Sequence, residues 1–356
     1  MGERTLRLSV SAEGEPAERI SQAAALLRAG KLVAFPTETV YGLGADATNA
    51  EAVAAIFTAK ERPLSDPLIV HIADLAQLPR VARDIPPIAW ELARRFWPGP
   101  LTLVLPRAEA IPPVVAAGGE TVGVRMPAHP VALALLRAAE VPVAAPSANR
   151  FMRTSPTTAD HVLADLDGRI AAVLDGGACM VGVESSVLDL TSAPPRLLRP
   201  GGVTLEQLRA VLPDTEGPME RAAASPEVAR APGQMERHYA PHTHLVVYDA
   251  AGEVGRAAVL AGARRALAAG RRVGALVPDG EAPALEALGV VVERLGPESA
   301  PAEQTRRLYA ALRALDAQGC DVLLAHTFAR EGLGLALWDR LRRAAGGRLT
   351  PPDADA

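Results

Sequence analysis

The chain has 356 residues, more than one hydrophobic core usually holds, so we expect two domains. Hydrophobic residues make up 49% of the chain and aromatic residues only 3%, so alanine, valine and leucine must build its cores. The formal net charge of -4 argues against a nonspecific nucleic-acid binder, which is usually basic, but it leaves room for a local basic pocket.

The two cysteines, Cys179 and Cys320, are too few for a disulfide framework and too far apart in sequence for a zinc site. We expect two buried free thiols. Residues 1–10 lack the apolar stretch of a signal peptide, and no uncharged apolar run is long enough to cross a membrane. These features predict a soluble cytoplasmic protein without a membrane partner.

The first two thirds of the chain mix short helices and short strands. Periodicity and stop signals predict helices over residues 17–29, 51–60, 87–96, 130–139 and 158–166. Strands are predicted over residues 32–35, 69–72, 101–105, 122–125, 141–145, 171–175 and 186–190. Because the two kinds of element do not alternate cleanly, the pattern favours a mixed sheet over a purely parallel one.

A proline-rich stretch from about residue 215 to 243 shows no lasting period and predicts a linker or extended loop. Beyond it, predicted strands (245–248, 273–277, 290–295, 322–325) alternate with predicted helices (254–269, 301–318, 334–345), as in a small doubly wound domain. We therefore divide the chain into a domain at 12–213, a linker or lid at 214–243, and a domain at 244–346. The tail at 350–356 is expected to be disordered.

The predicted helix 51–60 runs into Lys60-Glu61-Arg62, directly before Pro63. Taken alone, two cations at a helix C-terminus are explained by the helix dipole. Because Pro63 stops the helix and a loop follows, both side chains can also project into a cleft. There arginine would offer phosphate a planar fork, and lysine a point charge.

Ser147 and Asn149 follow the predicted strand 141–145. Such residues commonly form a turn, but the carboxyl ends of strands in open α/β sheets are also where ligands bind. Neither GxxxxGK nor GxGxxG occurs, so no Walker or Rossmann phosphate loop is predicted.

Three further positions have both a structural and a functional interpretation. Thr39 precedes Gly42 in what would otherwise be a tight strand-to-helix turn, and His71 ends a strand, where a lone histidine usually just packs. Arg125 lies in a predicted buried strand and therefore needs an anion, either an internal carboxylate or a ligand.

Taken in order, several segments resemble the YrdC-like family of threonylcarbamoyl-adenylate synthases, in its long form with a C-terminal domain. They are residues 36–43, 60–63, 67–71, 124–127, 147–149 and 198–202, and the resemblance covers roughly residues 15–345. It implies an α/β fold: a YrdC-like mixed twisted sheet with helices, followed by a small Rossmann-like doubly wound domain.

The resemblance also implies an enzyme that condenses L-threonine, bicarbonate and ATP, with Mg²⁺, into L-threonylcarbamoyladenylate and pyrophosphate. The product would pass to the downstream tRNA threonylcarbamoyl-transfer machinery. Whether tRNA contacts this protein directly stays open.

The family's site residues carry over to matching positions in this sequence. The implied ATP contacts are Lys60, Arg62, Asp66, Thr121, Ser147, Asn149, Ser155, Arg199 and His238, with Lys60 and Arg62 also catalytic. The implied threonine contacts are Thr39, His71, Arg125, Ala145 and Ser185, and the metal ligands are unassigned. From local sequence alone, Arg199 would be a solvated residue in a turn, and His238 part of a spacer.

Two positions depart from the family pattern. Many relatives have asparagine at Asp66, where a carboxylate would repel a triphosphate unless it faced a basic neighbour, Mg²⁺ or the ribose, or pointed away. Many have glycine at Met152, which would be strained if its φ were positive.

Two other functional interpretations have less support in the sequence. A nucleic-acid-binding module would need a basic groove and stacking aromatics, yet Phe, Trp and Tyr total twelve. A carbamoyl-transferring relative would carry zinc-finger and acylphosphatase-like segments, which this sequence lacks.

Overall fold

The computed structural model describes residues 4–10, 16–218 and 235–354, which fall into two compact units. The first unit comprises 4–151, 155–180 and 184–218 of these residues, and the second 152–154, 181–183 and 235–354. Within this described part, no helix has the length and apolar character needed to cross a bilayer. The predicted linker at 214–243 is described only at its two ends, since 219–234 lie outside the described residues.

The first unit is a mixed sheet with helices packed against it. Its strands are β1 (Leu6–Ser9), β2 (Val33–Phe35), β3 (Gly42–Asp46), β4 (Ile69–His71), β5 (Leu101–Pro106), β6 (Thr121–Arg125), β7 (Val143–Ala144), β8 (Ala172–Asp175), β9 (Ser186–Asp189) and β10 (Arg196–Arg199). Its helices are α1 (Pro16–Arg28), α2 (Ala50–Lys60), α3 (Leu78–Val81), α4 (Pro87–Phe96), α5 (Pro130–Ala139), α6 (Ala159–Leu166) and α7 (Leu205–Arg209), with 3-10 turns at Leu75–Gln77 and Pro113–Ala116.

The ten strands lie in the order β1-β8-β2-β3-β7-β4-β6-β5-β9-β10. The central strands β4 and β6 run parallel, with His71 in register with Arg125. Strand β7 runs antiparallel to both of its neighbours, β3 and β4. The mixed sheet expected from the sequence is therefore confirmed, and apolar clusters of buried residues pack against it.

Local chemistry fixes the ends of α2, which carries Lys60. The side chain of Asn49 accepts hydrogen bonds from the amides of Glu51 and Ala52, so Asn49 caps the helix start. Glu61 ends the helix in the left-handed conformation, with φ of 56°. The helix thus stops where Lys60 and Arg62 leave its last turn.

The turn interpretation of the residues after Thr39 is wrong, because Gly42–Asp46 forms β3. Glycine is required there by close packing: a Cβ on Gly44 would lie 2.9 Å from side-chain atoms of both Phe35 and Val143. The short strands β1 and β10 were also not predicted.

The second unit is a parallel sheet with helices. Its strands are β11 (Leu245–Tyr248), β12 (Val273–Val277), β13 (Val291–Arg294) and β14 (Val322–His326), and its helices are α8 (Gly252–Ala268), α9 (Ala282–Glu286), α10 (Pro301–Ala317) and α11 (Gly332–Ala344). The order β11-β14-β12-β13, with all pairs parallel, confirms the predicted doubly wound arrangement.

Two sequence expectations are settled in this unit. The tail is not disordered at its start, since Thr350 donates its amide to the Val247 carbonyl and accepts from the Asp249 amide, each at 2.8 Å. Met152 has φ of 66°, so the strain expected from a left-handed methionine is present.

Candidate active site

Arg125 ends β6 and is only 4% exposed. Its Nη1 donates to Thr39 Oγ1 at 3.0 Å, and its Nε to the Gly99 carbonyl at 3.2 Å. Its Nη2 lies 2.6 Å from Glu38 Oε1, yet neither atom makes a well-aligned hydrogen bond with any described residue. The contact is therefore an ion pair without good hydrogen-bond geometry. An internal carboxylate, one of the two alternatives for this arginine, is its partner in the free protein.

Thr39 is oriented by its neighbour Thr37. The Thr37 hydroxyl donates to the Val40 carbonyl at 2.6 Å and accepts the amides of Thr39 and Val40. A hydroxyl has one proton to donate, so in the 2.8 Å contact between the two threonine hydroxyls Thr39 is the donor. Thr39 Oγ1 is thus held by Thr37 on one side and Arg125 on the other.

His71 ends β4 beside Arg125 and is buried. Its Nδ1 lies 3.3 Å from the Ile69 carbonyl, and the ring packs edge-on against Phe35. Burial, reinforced by the positive charge of Arg125, lowers the pKa of His71 to about 3. The imidazole is therefore neutral near pH 7 and adds no charge to the site.

Ser185 is in contact with Thr102 and with Arg199, another predicted site residue. Its Oγ lies 2.8 Å from Thr102 Oγ1, and Arg199 donates to both its carbonyl (3.1 Å) and its Oγ (3.2 Å). Arg199 ends β10 and is 4% exposed, so the solvated-turn interpretation of this arginine is wrong. The Ala145 amide donates to the Ile69 carbonyl at 2.9 Å.

Lys60 is 1% exposed and does not project into solvent. Its Nζ donates to the carbonyls of Ser147 and Asn149, each at 2.5 Å. Burial, with a further contribution from the charge of Arg62, lowers the pKa of Lys60 well below its usual value. The side chain therefore fixes the loop that carries Ser147 and Asn149.

That loop does not lie at the carboxyl ends of parallel strands, where the sequence argument placed it. Because β7 is antiparallel to β4, Ser147 lies level with the start of β4, and it forms a bridge with Gly42. The rule that ligands bind at the carboxyl ends of parallel strands therefore does not account for Ser147 and Asn149.

Arg62 and Asp66 form a second internal ion pair. Arg62 Nη2 lies 3.0 Å from Asp66 Oδ2, and the arginine also donates to the carbonyls of Asp66 and Pro67. Burial raises the pKa of Asp66, against the opposing charges of Arg62, Lys60 and Arg199. The departure from asparagine is thus accommodated by basic neighbours, one of the alternatives left open by the sequence.

The other predicted nucleotide positions lie in different surroundings. Thr121 begins β6, and extending the β4–β6 register by two residues places it level with Pro67. Ser155 is fully buried and donates to Glu184 Oε1 at 2.6 Å. His238 belongs to the second unit, where its amide donates to the Arg343 carbonyl and its ring packs edge-on against Tyr239.

By chemical type, the predicted residues of the first unit fall into two groups. Thr39, His71, Arg125 and Ser185 offer an arginine fork and neutral polar groups, which suits a small carboxylate. Lys60, Arg62 and Arg199 offer three cations around Asp66, which suits a polyanion. Arg199 joins the groups, because it binds Ser185 and its charge acts on Asp66.

Sequence reasoning did not assign roles to Glu38, Thr37, Thr102 or Glu184, which hold the predicted residues in place. For Glu38 a signal was available, because a buried Arg125 required an anion and Glu38 lies in segment 36–43, one of those that resemble the family. For Thr102 and Glu184 the contacts span more than 25 residues of sequence, and no local pattern marks them.

Among the described residues, no group of three or more His, Cys, Asp or Glu could hold a metal ion. Both cysteines are free and buried as predicted, and burial raises the pKa of Cys179 to about 12. Neither thiol is thus placed to act as a metal ligand or nucleophile at neutral pH.

Comparison with known proteins places this geometry in a family. Residues 25–201 match the family model described as Telomere recombination (Sua5/YciO/YrdC), and residues 203–346 match the model described as Threonylcarbamoyl-AMP synthase, C-terminal domain. The threonylcarbamoyl-AMP synthase of Pyrococcus abyssi is 46% identical over 93% of this chain and 95% of its own. That of Bacillus subtilis is 46% identical over 93% and 94%.

The solved structure of P. abyssi Sua5 complexed with L-threonine is 45% identical to this chain. It superposes with a TM-score of 0.91 and covers 98% of this chain and 99% of its own. On this identity over nearly the whole length, and on both matching models, the chain belongs to the threonylcarbamoyl-AMP synthase family in its two-domain form.

Proposed function

We propose that this protein is an L-threonylcarbamoyladenylate synthase, which converts L-threonine, bicarbonate and ATP into L-threonylcarbamoyladenylate and pyrophosphate. The observation that carries the proposal is a pair of buried basic groups in the first unit: Arg125 beside Thr39, and Arg199, which binds Ser185 and whose charge acts on Asp66 with those of Arg62 and Lys60. An amino-acid carboxylate and a triphosphate are the two anions that such a site would bring together. The family relationship supports the same substrates.

In this proposal Arg125 binds the threonine carboxylate, with Thr39, His71, Ser185 and the Ala145 backbone completing the amino-acid site. The nucleotide lies on Arg62, Lys60 and Arg199, with Thr121, Ser147, Asn149 and Ser155 as neutral contacts. Asp66 holds Arg62 in position through their ion pair. His238 lies in the linker or lid at 214–243, which joins the domains at 12–213 and 244–346, and we propose that it reaches ATP.

The chemistry needs no nucleophilic side chain. The threonine ammonium first loses a proton, and the free amine then attacks the carbon of bicarbonate, forming an N–C bond and releasing water. A carbamate oxygen then attacks the α-phosphorus of ATP, and pyrophosphate leaves. The reactants carry several negative charges, so Lys60 and Arg62 would stabilise the charge that develops on the phosphates. Correct placement alone can lower a barrier by about 7–11 kcal/mol.

We propose that Mg²⁺ takes part in this reaction together with the nucleotide. When bound it would neutralise triphosphate charge. We further propose a cytoplasmic role in tRNA N6-threonylcarbamoyladenosine synthesis, in which a separate transferase consumes the adenylate, a reactive mixed anhydride.

Pyrophosphate release tests the proposal. The protein is incubated with ATP in CO₂-free buffer, with or without bicarbonate, and with each amino acid in turn. We expect release that requires both bicarbonate and L-threonine, and a product with the mass of threonylcarbamoyladenylate. Release without threonine, or transfer of a carbamoyl group from carbamoyl phosphate, would contradict it.

A further inference from the structure

Glu38 has an incompletely used carboxylate in the amino-acid part of the site. Its side chain is 9% exposed, and its Oε2 accepts the Ala128 amide at 3.0 Å. Its Oε1 lies 2.6 Å from Arg125 Nη2, but no described residue donates a well-aligned hydrogen bond to it. A carboxylate oxygen can accept two hydrogen bonds, so Oε1 keeps capacity for a donor.

The charged and titratable groups around Glu38 do not use that capacity. Arg125 is bound through Nη1 and Nε to Thr39 and Gly99. His129 is part-buried, and its Nδ1 accepts the Val131 amide. The neighbouring Cys179 is a buried thiol whose pKa is raised, so it brings no charge.

The Arg125–Glu38 pair is electrically matched to a zwitterion. A lone buried arginine would favour any small carboxylate, including one without an amine. A cation and an anion 2.6 Å apart instead offer the carboxylate and the ammonium of a free amino acid one partner each. Because an unpaired buried charge is costly, either half of such a ligand would bind poorly alone.

We propose that Glu38 binds the α-ammonium group of the amino-acid substrate and thereby makes the site selective for α-amino acids over other carboxylates. This assignment rests on the proposed function, in which Arg125 takes the threonine carboxylate. Glu38 binds the substrate as it enters and loses its electrostatic hold once the nitrogen is carboxylated, because the carbamate carries no positive charge.

The test compares two ligands that differ only in the amine: L-threonine and 3-hydroxybutanoate of matching configuration. Their affinities for the full chain are measured by calorimetry without ATP. The wild-type protein is expected to prefer threonine by roughly 10- to 100-fold, the range of a charge-assisted hydrogen bond. Equal affinities would overturn the assignment without any variant.

Glu38→Gln then separates ammonium binding from mere support of Arg125. We expect threonine affinity to fall by roughly 10- to 100-fold, while 3-hydroxybutanoate affinity stays the same or rises. Glu38→Asp, which keeps the charge, should retain part of the preference. If Glu38→Gln weakens both ligands alike, Glu38 only positions Arg125 and the assignment is wrong. If the wild-type protein binds no threonine and releases no pyrophosphate, the proposed function itself falls, and the assignment with it.

Discussion

Arg62 Nη2 lies 3.0 Å from Asp66 Oδ2, and the side chains of both residues are 3% exposed. The same arrangement recurs at Arg125 and Glu38, which are 2.6 Å apart and similarly sheltered. Two of the three arginines proposed to bind a substrate anion, Arg62 and Arg125, are thus paired with an internal carboxylate. Such pairing keeps a buried guanidinium from being left alone when the substrate is absent.

Asp66→Asn should lower the stability of the free protein and strengthen ATP binding. The change removes the buried carboxylate that pairs with Arg62, at a cost of about 3–5 kcal/mol, and removes a negative charge from beside the triphosphate. Thermal unfolding with and without ATP measures both effects: a lower melting temperature without ATP and a larger rise on adding it.

The matched control is Glu61→Gln, whose exposed carboxylate pairs with Arg150 and Arg169 and should matter little. Unchanged stability and unchanged ATP response in Asp66→Asn would show that this pair does not hold Arg62.

Arg125→Ala should raise the KM for threonine far more than the KM for ATP, by about 10- to 100-fold for threonine, because the fork for the substrate carboxylate is lost. Steady-state pyrophosphate release gives both constants. Arg83→Ala, at an exposed ion pair, serves as the control. Equal increases in both KM values would mean that Arg125 is structural.

His238→Ala should raise the KM for ATP without a matching change for threonine, if the linker reaches the nucleotide. His238 is buried, whereas the nearby His242 is exposed, so His242→Ala is the matched control. The prediction fails if both variants keep the wild-type KM for ATP.

His71 should make the first unit less stable as the pH falls. Its pKa is about 3 in the folded protein, against an ordinary value of 6.5, so the unfolded chain binds a proton first as acid is added. The contribution of neutral His71 to the free energy of unfolding is fully present above pH 6.5. It declines below that pH, by about 2 kcal/mol down to about pH 5.

Denaturant unfolding at several pH values checks this slope. His71→Gln, which cannot bind that proton, should flatten it, whereas the same change at exposed His242 should not. A slope that His71→Gln leaves untouched would assign the acid sensitivity to other groups.

His326 should have the opposite pH dependence in the second unit. Its Nε2 lies 3.0 Å from Glu281 Oε1 and its Nδ1 2.8 Å from the Thr327 carbonyl. Burial lowers its pKa, but the hydrogen bond and charge of Glu281, together with the Thr327 carbonyl and the charge of Glu298, outweigh this, so the net shift is upward. The stabilisation is therefore complete below pH 6.5 and is lost as the pH rises through the higher folded pKa.

Imidazole NMR shifts give this pKa directly. It should lie above 6.5 in the wild-type protein and fall below that value in Glu281→Gln, where burial acts without the carboxylate. A pKa unchanged by the substitution would contradict the role of Glu281.

Much of the fold could be predicted from local sequence. Helices α4 and α5 have the predicted bounds, because a proline at the first turn and an apolar periodic face mark them. Strand β3 was missed because Gly42 and Gly44 have the composition of a turn. Gly44 is required by its contact with Phe35 and Val143, which local sequence does not show.

The candidate site shows the same limit. Resemblance to a family supplied its residues, and burial of Arg125 in a strand predicted that it needed an anion. The partner itself, Glu38, lies 87 residues earlier, so only the folded sheet identifies it. The pairing of Lys60 with the loop after β7 is equally remote in sequence.

That lysine restricts the inhibitors this site could accept. An ammonium group has three hydrogen-bond donors, and the carbonyls of Ser147 and Asn149 occupy two of them. A compound aimed at Lys60 can therefore gain one hydrogen bond, along one direction, unless it breaks the loop's own contacts. One phosphate oxygen of a nucleotide, or one acceptor atom that takes its place in an inhibitor, would match that single remaining donor.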